Sequence, residues 1–284
     1  MKLKIATLTA VLACSVFNLH GVVIEANFSG GNGTSSSDQF VGTAGNGWVN
    51  AWQSQTNGTA IANSGTVTTG LFGPSNYLRD TVTRDPSGAA GRSAGVTRSF
   101  SLDSGAGGIN TSANYTISFD WRMNSSASSN WTLDTNHYFY FFGSDVQTSS
   151  ISSTVADSFR VWTRGTAFRA TNNAGGDAAI SGITLAYDTT YSITLTLTPT
   201  AWDVSIFDGT NTGAVSSRNY SSVDSGIADW LNFTAYGGAA ANAAGETLVW
   251  GLDNLQISQV PEPATYVLFG LGAAFLACRS RRRA

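Results

Sequence analysis

Apolar and polar residues alternate with period two along much of this chain. Tyr115, Ile117, Phe119, Trp121 and Met123 are interleaved with Thr116, Ser118, Asp120 and Arg122, the signature of a strand with one face in a core. Tyr191, Ile193, Leu195 and Leu197 are interleaved with Ser192, Thr194, Thr196 and Thr198. Pro199-Thr200 then turns the chain, and Trp202, Val204 and Ile206 begin a partner strand that ends at Asp208-Gly209. The pair reads as a β-hairpin. The same reading predicts strands at Val22–Phe28, Thr59–Thr69, Val96–Leu102, Tyr138–Phe142, Phe159–Phe168, Leu231–Tyr236 and Thr247–Ile257. In the last, Leu248, Trp250 and Leu252 are even and Leu255 and Ile257 are odd, so a bulge near Asp253-Asn254 is needed to keep one apolar face. Loops such as Gly30–Ser37 and Gly237–Gly245 are rich in Gly, Ser and Asn. Many strands without helical crossovers predict an all-β fold, an antiparallel β-sandwich.

Both ends of the chain depart from this pattern. The C-terminal end reads Val260-Pro261-Glu262-Pro263, then an uncharged apolar run from Ala264 to Cys278, then Arg279, Ser280, Arg281, Arg282, Arg283 and Ala284. The prolines hold the first part extended. The fifteen residues of the apolar run span roughly 22 Å as a helix, fewer than the ~20 residues that a full membrane span prefers. The arginines act as a cytoplasmic anchor. This three-part tail closely resembles the PEP-CTERM sorting signal of bacteria. The resemblance implies processing by exosortase, a membrane-embedded cysteine protease of the inner membrane, at or near Val260–Pro263. A buried C-terminal helix is the competing reading, but it does not account for four terminal arginines. At the other end Lys2 and Lys4 precede an apolar stretch from Ile5 to Phe17, as in a secretory signal peptide with cleavage near Gly21. Val11-Leu12-Ala13-Cys14 loosely resembles a lipoprotein box, which Leu12 fits poorly. Three parts follow: a signal peptide at 1–21, a β-sandwich domain at 22–258 and a sorting tail at 259–284.

Composition narrows the partners of the exported part. Both cysteines, Cys14 and Cys278, and both lysines, Lys2 and Lys4, lie in the two end segments. The domain therefore has no disulfide, and its core must suffice. Between Val22 and Ser258 there are nine Arg against fifteen Asp and two Glu, a net charge of 9 − 17 = −8. An acidic domain without lysine is a poor nucleic-acid binder. Eight Trp and fifteen Phe in the chain argue against disorder despite the Gly- and Ser-rich loops.

The segment from Phe40 to Trp52, together with Ser118-Phe119-Asp120-Trp121 and Trp250-Gly251-Leu252-Asp253-Asn254-Leu255, resembles concanavalin A-like (laminin-G-like) jelly-roll domains. The resemblance implies a jelly-roll sandwich, here flanked by an N-terminal signal helix and a short C-terminal transmembrane helix. Enzymes on that fold are typically glycosidases, which need two carboxylates flanking the scissile bond. The three glutamates, Glu25, Glu246 and Glu262, form no such pattern; an Asp pair remains open, and no catalytic residue is assigned. One histidine, His137, and no cysteine in the domain speak against zinc. The resemblance also implies calcium as a candidate cofactor. Asp208 and Asn211 offer oxygen ligands, though the same residues suit a hairpin turn.

His137-Tyr138-Phe139-Tyr140-Phe141-Phe142 places rings on both faces of one strand. One face is core. The other either packs under a loop or lines a sheet surface where a sugar stacks on the rings. His137, Tyr138 and Tyr140, joined by Trp121 or Trp162, are the candidate ligand-binding residues. The chain thus reads as an exported, non-enzymatic surface or extracellular-matrix protein that binds polysaccharide. It is anchored first in the inner membrane and then released. A matrix protein without ligand and a polysaccharide-active glycosidase are the alternatives.

Overall fold

The computed structural model describes residues 23–26, 28, 52–57, 61–74, 76–84, 92–100, 109, 113–144, 157–172, 176–220, 228–237 and 245–260. The signal segment 1–21, the stretch from Phe40 to Ala51, and the tail from Pro261 onward lie outside them.

Two antiparallel sheets form a sandwich, and there is no helix among the described residues. In chain order the strands are β1 (Val23–Ala26), β2 (Gln53–Asn57), β3 (Ile61–Thr69), β4 (Asn76–Arg84), β5 (Arg92–Ser99), β6 (Asn114–Met123), β7 (His137–Ser144) and β8 (Asp157–Arg164). They continue with β9 (Ala167–Asn172), β10 (Gly176–Ala179), β11 (Tyr191–Leu197), β12 (Ala201–Phe207), β13 (Thr212–Asn219), β14 (Trp230–Gly237) and β15 (Glu246–Val260). The eight-stranded sheet runs β13-β12-β11-β6-β15-β4-β3, with β1 also paired to β15, and the seven-stranded sheet runs β10-β9-β8-β7-β14-β5-β2.

The alternation in the sequence becomes the division between core and surface. In β6 every second residue from Tyr115 to Met123 is buried, and β11 and β12 repeat the pattern. The β11–β12 hairpin closes where Thr198 N–H donates to Ala201 O at 2.8 Å. The two sheets meet through aromatic side chains. Phe119 of β6 lies 4.6 Å from Phe141 of β7 and 5.2 Å from Phe233 of β14, centroid to centroid. Trp121 stacks on Phe139 at 4.4 Å. Such pairs add about 0.5–1.5 kcal/mol beyond the area they bury, which suits a core that no disulfide supports.

The expected bulge is present. The β15–β6 register shifts between Asp253 and Gln256, and Asn254 takes φ +52°. Leu252, Leu255 and Ile257 thereby all face the core. The bulge also divides β15 along its other edge: Glu246–Leu252 pair with β4, and Leu255–Ser258 pair with β1. Val23 and Ser258 are direct partners. The strand that follows segment 1–21 and the strand that leads into Val260-Pro261 thus run side by side at one end of the sandwich.

Two expectations are corrected. Phe159–Phe168 is not one strand, because Gly165 turns the chain with φ +60° and the segment divides into β8 and β9. The strand read at Val96–Leu102 begins earlier, at Arg92, because Ser93 and Ala94 extend the ladder to β14.

Candidate functional site

Strand parity decides which aromatic residues are available to a ligand. Phe139 and Phe141 of β7 point into the sandwich, so Tyr138 and Tyr140 point out. Trp162 lies opposite Tyr140 on β8, and Tyr236 lies opposite Tyr138 on β14. Four rings from three strands therefore share the outer face of the seven-stranded sheet. Tyr138 is 5.9 Å from Tyr140, 5.5 Å from Trp162 and 5.4 Å from Tyr236. Tyr140 and Trp162 lie parallel, with centroids 5.7 Å apart. Tyr138, Trp162 and Tyr236 are partly exposed, whereas Tyr140 is 6% exposed and forms the floor. Burial raises the Tyr140 pKa, so its phenol stays neutral across the physiological range.

Polar contacts fix the rings in place. Trp162 Nε1–H points at Thr171 Oγ1 and Asp177 Oδ1, each at 3.2 Å. Asp177 is held in turn by Arg169 Nε at 2.5 Å and by the Thr171 hydroxyl. Tyr138 donates its hydroxyl to Thr135 O. Arg160 lies 5.7 Å from the Tyr140 ring and Arg169 lies 5.7 Å from the Trp162 ring, within cation–π range. A rigid aromatic surface with fixed donors and acceptors suits a ligand that carries both C–H faces and hydroxyls.

The other half of the same face is closed. Thr97 Oγ1 donates to Asn232 Oδ1 at 2.7 Å, and Asn232 Nδ2 donates to Ser144 Oγ at 2.7 Å. All three residues are buried, as is Phe142. This polar chain is internally satisfied, so it is a structural element.

Two of the candidate ligand-binding residues are core residues instead. Trp121 has no exposed surface; it follows the parity of Phe119 and Met123, between Phe139 and Tyr191. His137 follows the parity of Phe139 into a buried ionic cluster. Its Nδ1 lies 2.9 Å from Asp134 Oδ1 and its Nε2 lies 3.1 Å from Glu246 Oε1. Glu246 Oε2 accepts from Arg84 Nη1 at 2.8 Å. Burial acts against ionisation of Asp134, but the Asn136 N–H, His137 and Thr132 outweigh it and hold the carboxyl below its usual range.

Among the described carboxylates, Glu246, Asp120 and Asp253 are each buried or held by hydrogen bonds. Glu246 is 2% exposed and locked to Arg84. Asp120 and Asp253 face each other across β6 and β15, yet Asp253 is buried. Both Asp120 oxygens accept hydrogen bonds, from Ser192 Oγ at 2.6 Å and from Asn254 Nδ2 at 2.7 Å. Burial raises the Asp253 pKa, partly offset by the Asn254 N–H, with the Asp120 charge adding to the rise. At the candidate calcium loop, Asp208 Oδ1 accepts from Asn211 N at 2.7 Å and Thr210 N at 2.9 Å, which lowers the Asp208 pKa. Gly209 takes φ +94° there. Asp208 and Asn211 thus build the β12–β13 turn.

Residues 259–283 match the family described as the PEP-CTERM protein-sorting motif. No curated protein matches the chain. Among solved structures, the chain is similar to lectin II from Ulex europaeus, at 14% identity and a TM-score of 0.39, over 74% of this chain and 99% of that one. It is also similar to the endo-β-1,4-glucuronan lyase of the fungus Trichoderma reesei, at 11% identity and a TM-score of 0.43, over 85% and 96%. A third similarity is to the alginate lyase of Klebsiella pneumoniae, at 10% identity and a TM-score of 0.43, over 69% and 84%. The chain thus carries a PEP-CTERM sorting motif behind an all-β sandwich. The motif implies an exported substrate of exosortase.

Proposed function

We propose that this protein is delivered to the cell surface or extracellular matrix and binds polysaccharide there, without turnover, through the outer face of its seven-stranded sheet. The observation that carries this reading is the outward ring cluster of Tyr138, Tyr140, Trp162 and Tyr236, three of them partly exposed. A contiguous aromatic surface costs solvation unless something covers it. Tyr and Trp keep a polar handle beside an apolar body, which matches a pyranose ring with its C–H faces and hydroxyls. The burial of Glu246 and Asp253 supports binding over hydrolysis. The sorting motif supports an extracellular ligand. Exosortase and the inner membrane are the partners on the way out.

The test is affinity electrophoresis of the full chain in detergent against a polysaccharide panel. At least one polysaccharide retards the wild type, and Trp162→Ala or Tyr138→Ala weakens that retardation roughly tenfold or more. Both side chains are partly exposed, so circular dichroism is expected to remain that of the wild type. Wild-type affinity in both variants would place the ligand elsewhere. No retardation by any polysaccharide would favour a matrix protein without ligand. Turnover lost in Asp253→Asn would favour an enzyme.

A further inference from the structure

The sorting motif is reached by a strand and not by a linker. β15 runs from Glu246 at one end of the sandwich to Val260 at the other, and its ladder to β6 holds to the last residue. Ser258 pairs with Thr116, Gln259 with Tyr115 and Val260 with Asn114. On its other side Ser258 pairs with Val23 of β1. The family match begins at residue 259, inside this strand. Residues 261–263 alone separate Val260 from the apolar run that starts at Ala264, and three residues reach about 10 Å when fully extended. At the start of the chain, residues 18–22 separate Phe17 from Val23, a reach of about 17 Å. Short tethers therefore tie both apolar end segments to the same end of the sandwich, the one built by Val23, Asn114 and Val260.

We propose that this end of the sandwich stands against the membrane, and that exosortase cuts the motif only after Ser258, Gln259 and Val260 have peeled away from β6 and β1. This rests on the sorting reading above and adds how the substrate is presented. An extended segment is recognised through its backbone N–H and C=O groups, and the ladders to β6 and β1 already engage those of the strand end. Two stacked sheets are about 10 Å apart before their outer side chains are added, so the folded sandwich is wider than the tether is long. The enzyme cannot reach the motif by moving the sandwich aside; the strand has to give. It can give locally, because strand ends open at far lower cost than the whole fold. Val260 is exposed and Ser258 and Gln259 are partly exposed, whereas Ile257 is fully buried and stops the peeling. The cut is a hydrolysis. One peptide bond of the motif breaks, its carbonyl carbon takes an oxygen from water and its nitrogen takes a proton, leaving a carboxylate on the sandwich and an amine on the tail.

Pulse-chase labelling of the full chain in its own host measures the rate at which the tail is lost. In one variant a six-residue Gly-Ser spacer enters between Ser258 and Gln259. It leaves the matched residues intact and adds about 20 Å of free chain. In a second, Thr116→Cys with Ser258→Cys pins the strand end. The two positions are direct antiparallel partners, within the Cα separation that a disulfide spans, and the segment from Val22 to Ser258 has no other cysteine. A non-reducing gel confirms the bond, and Ser258→Cys alone is the control. The proposal expects the spacer to speed tail loss several-fold and the disulfide to slow it several-fold until dithiothreitol is added. In the spacer variant the same disulfide should have no effect, because the motif is already free. A spacer that leaves the rate unchanged or lowers it overturns the proposal, as does a disulfide that leaves the wild-type rate unchanged or slows the spacer variant equally. The sorting reading survives each of those results. Retention of the tail in every form defeats the sorting reading itself, and the proposal with it.

Discussion

Replacing Glu246 with alanine is expected to lower the unfolding free energy by about 3–5 kcal/mol, the usual cost of leaving a buried ion without its partner. Glu246 and Arg84 are cross-strand partners on β15 and β4, 2.8 Å apart and each 2% exposed. His137 reaches them from β7 on the opposite sheet. Gly237 completes the closure: a Cβ there would come within 2.9 Å of Arg84 Cδ. The cluster therefore bridges the two sheets at one end of the sandwich. Truncation would strand the Arg84 guanidinium, whose Nε and Nη2 already lack acceptors. The double variant Arg84→Met/Glu246→Leu should recover most of the loss, because it removes both charges and keeps the volume. Urea unfolding of the four proteins measures the cycle. A Glu246→Ala protein as stable as the wild type would mean that water reaches the cluster and that this end of the sandwich is open.

The second large effect has the opposite sign. Asp80 follows the parity of Leu78 and Val82 into the core, opposite Trp250, with no exposed surface. Burial pushes its pKa well above the usual carboxylate range. The Thr81 N–H and the Trp250 indole offset a small part, and neither oxygen gains a hydrogen bond of good geometry. A raised folded-state pKa means that the native protein keeps a proton the unfolded chain has released. Unfolding then releases that proton, so stability falls as pH rises above the unfolded value of about 4. The loss continues until the folded value is passed. Asp80→Val is therefore expected to stabilise the protein by about 1–3 kcal/mol at pH 7, the usual cost of a buried polar group without partners, with the gain shrinking toward pH 4. Thermal unfolding of both proteins at pH 4 and pH 7 measures it. A loss of stability at pH 7 would show that Asp80 is ionised and has a partner.

Such residues explain what the sequence could and could not convey. Strands whose inward positions are all apolar were legible, including β6, the β11–β12 hairpin and the parity shift in β15. β4 was not, because Asp80 and Arg84 occupy its inward positions and Thr81 and Thr83 alternate with them. β2, β10 and β13 are polar strands near or at sheet edges, with little apolar alternation to read. The aromatic face was half legible. Tyr138, Tyr140 and Trp162 came from their strands, but Trp121 and His137 were named with them, and the parity they share with Phe119 and Phe139 is the signal that would have kept them off that surface. Tyr236 and the arginine arrangement depend on cross-strand register across β14, β7, β8 and β9, which no local pattern encodes.

The intact mass of the native protein recovered from the cell envelope and medium tests the central claim, that this sandwich is exported and sorted through its C-terminal motif. The account predicts a chain that starts near Val22 and ends within Val260–Pro263, with any excess mass marking attached groups. A mass that retains Arg279–Ala284 would contradict it, because the tail would then be a permanent anchor and the aromatic face would remain tethered to the membrane.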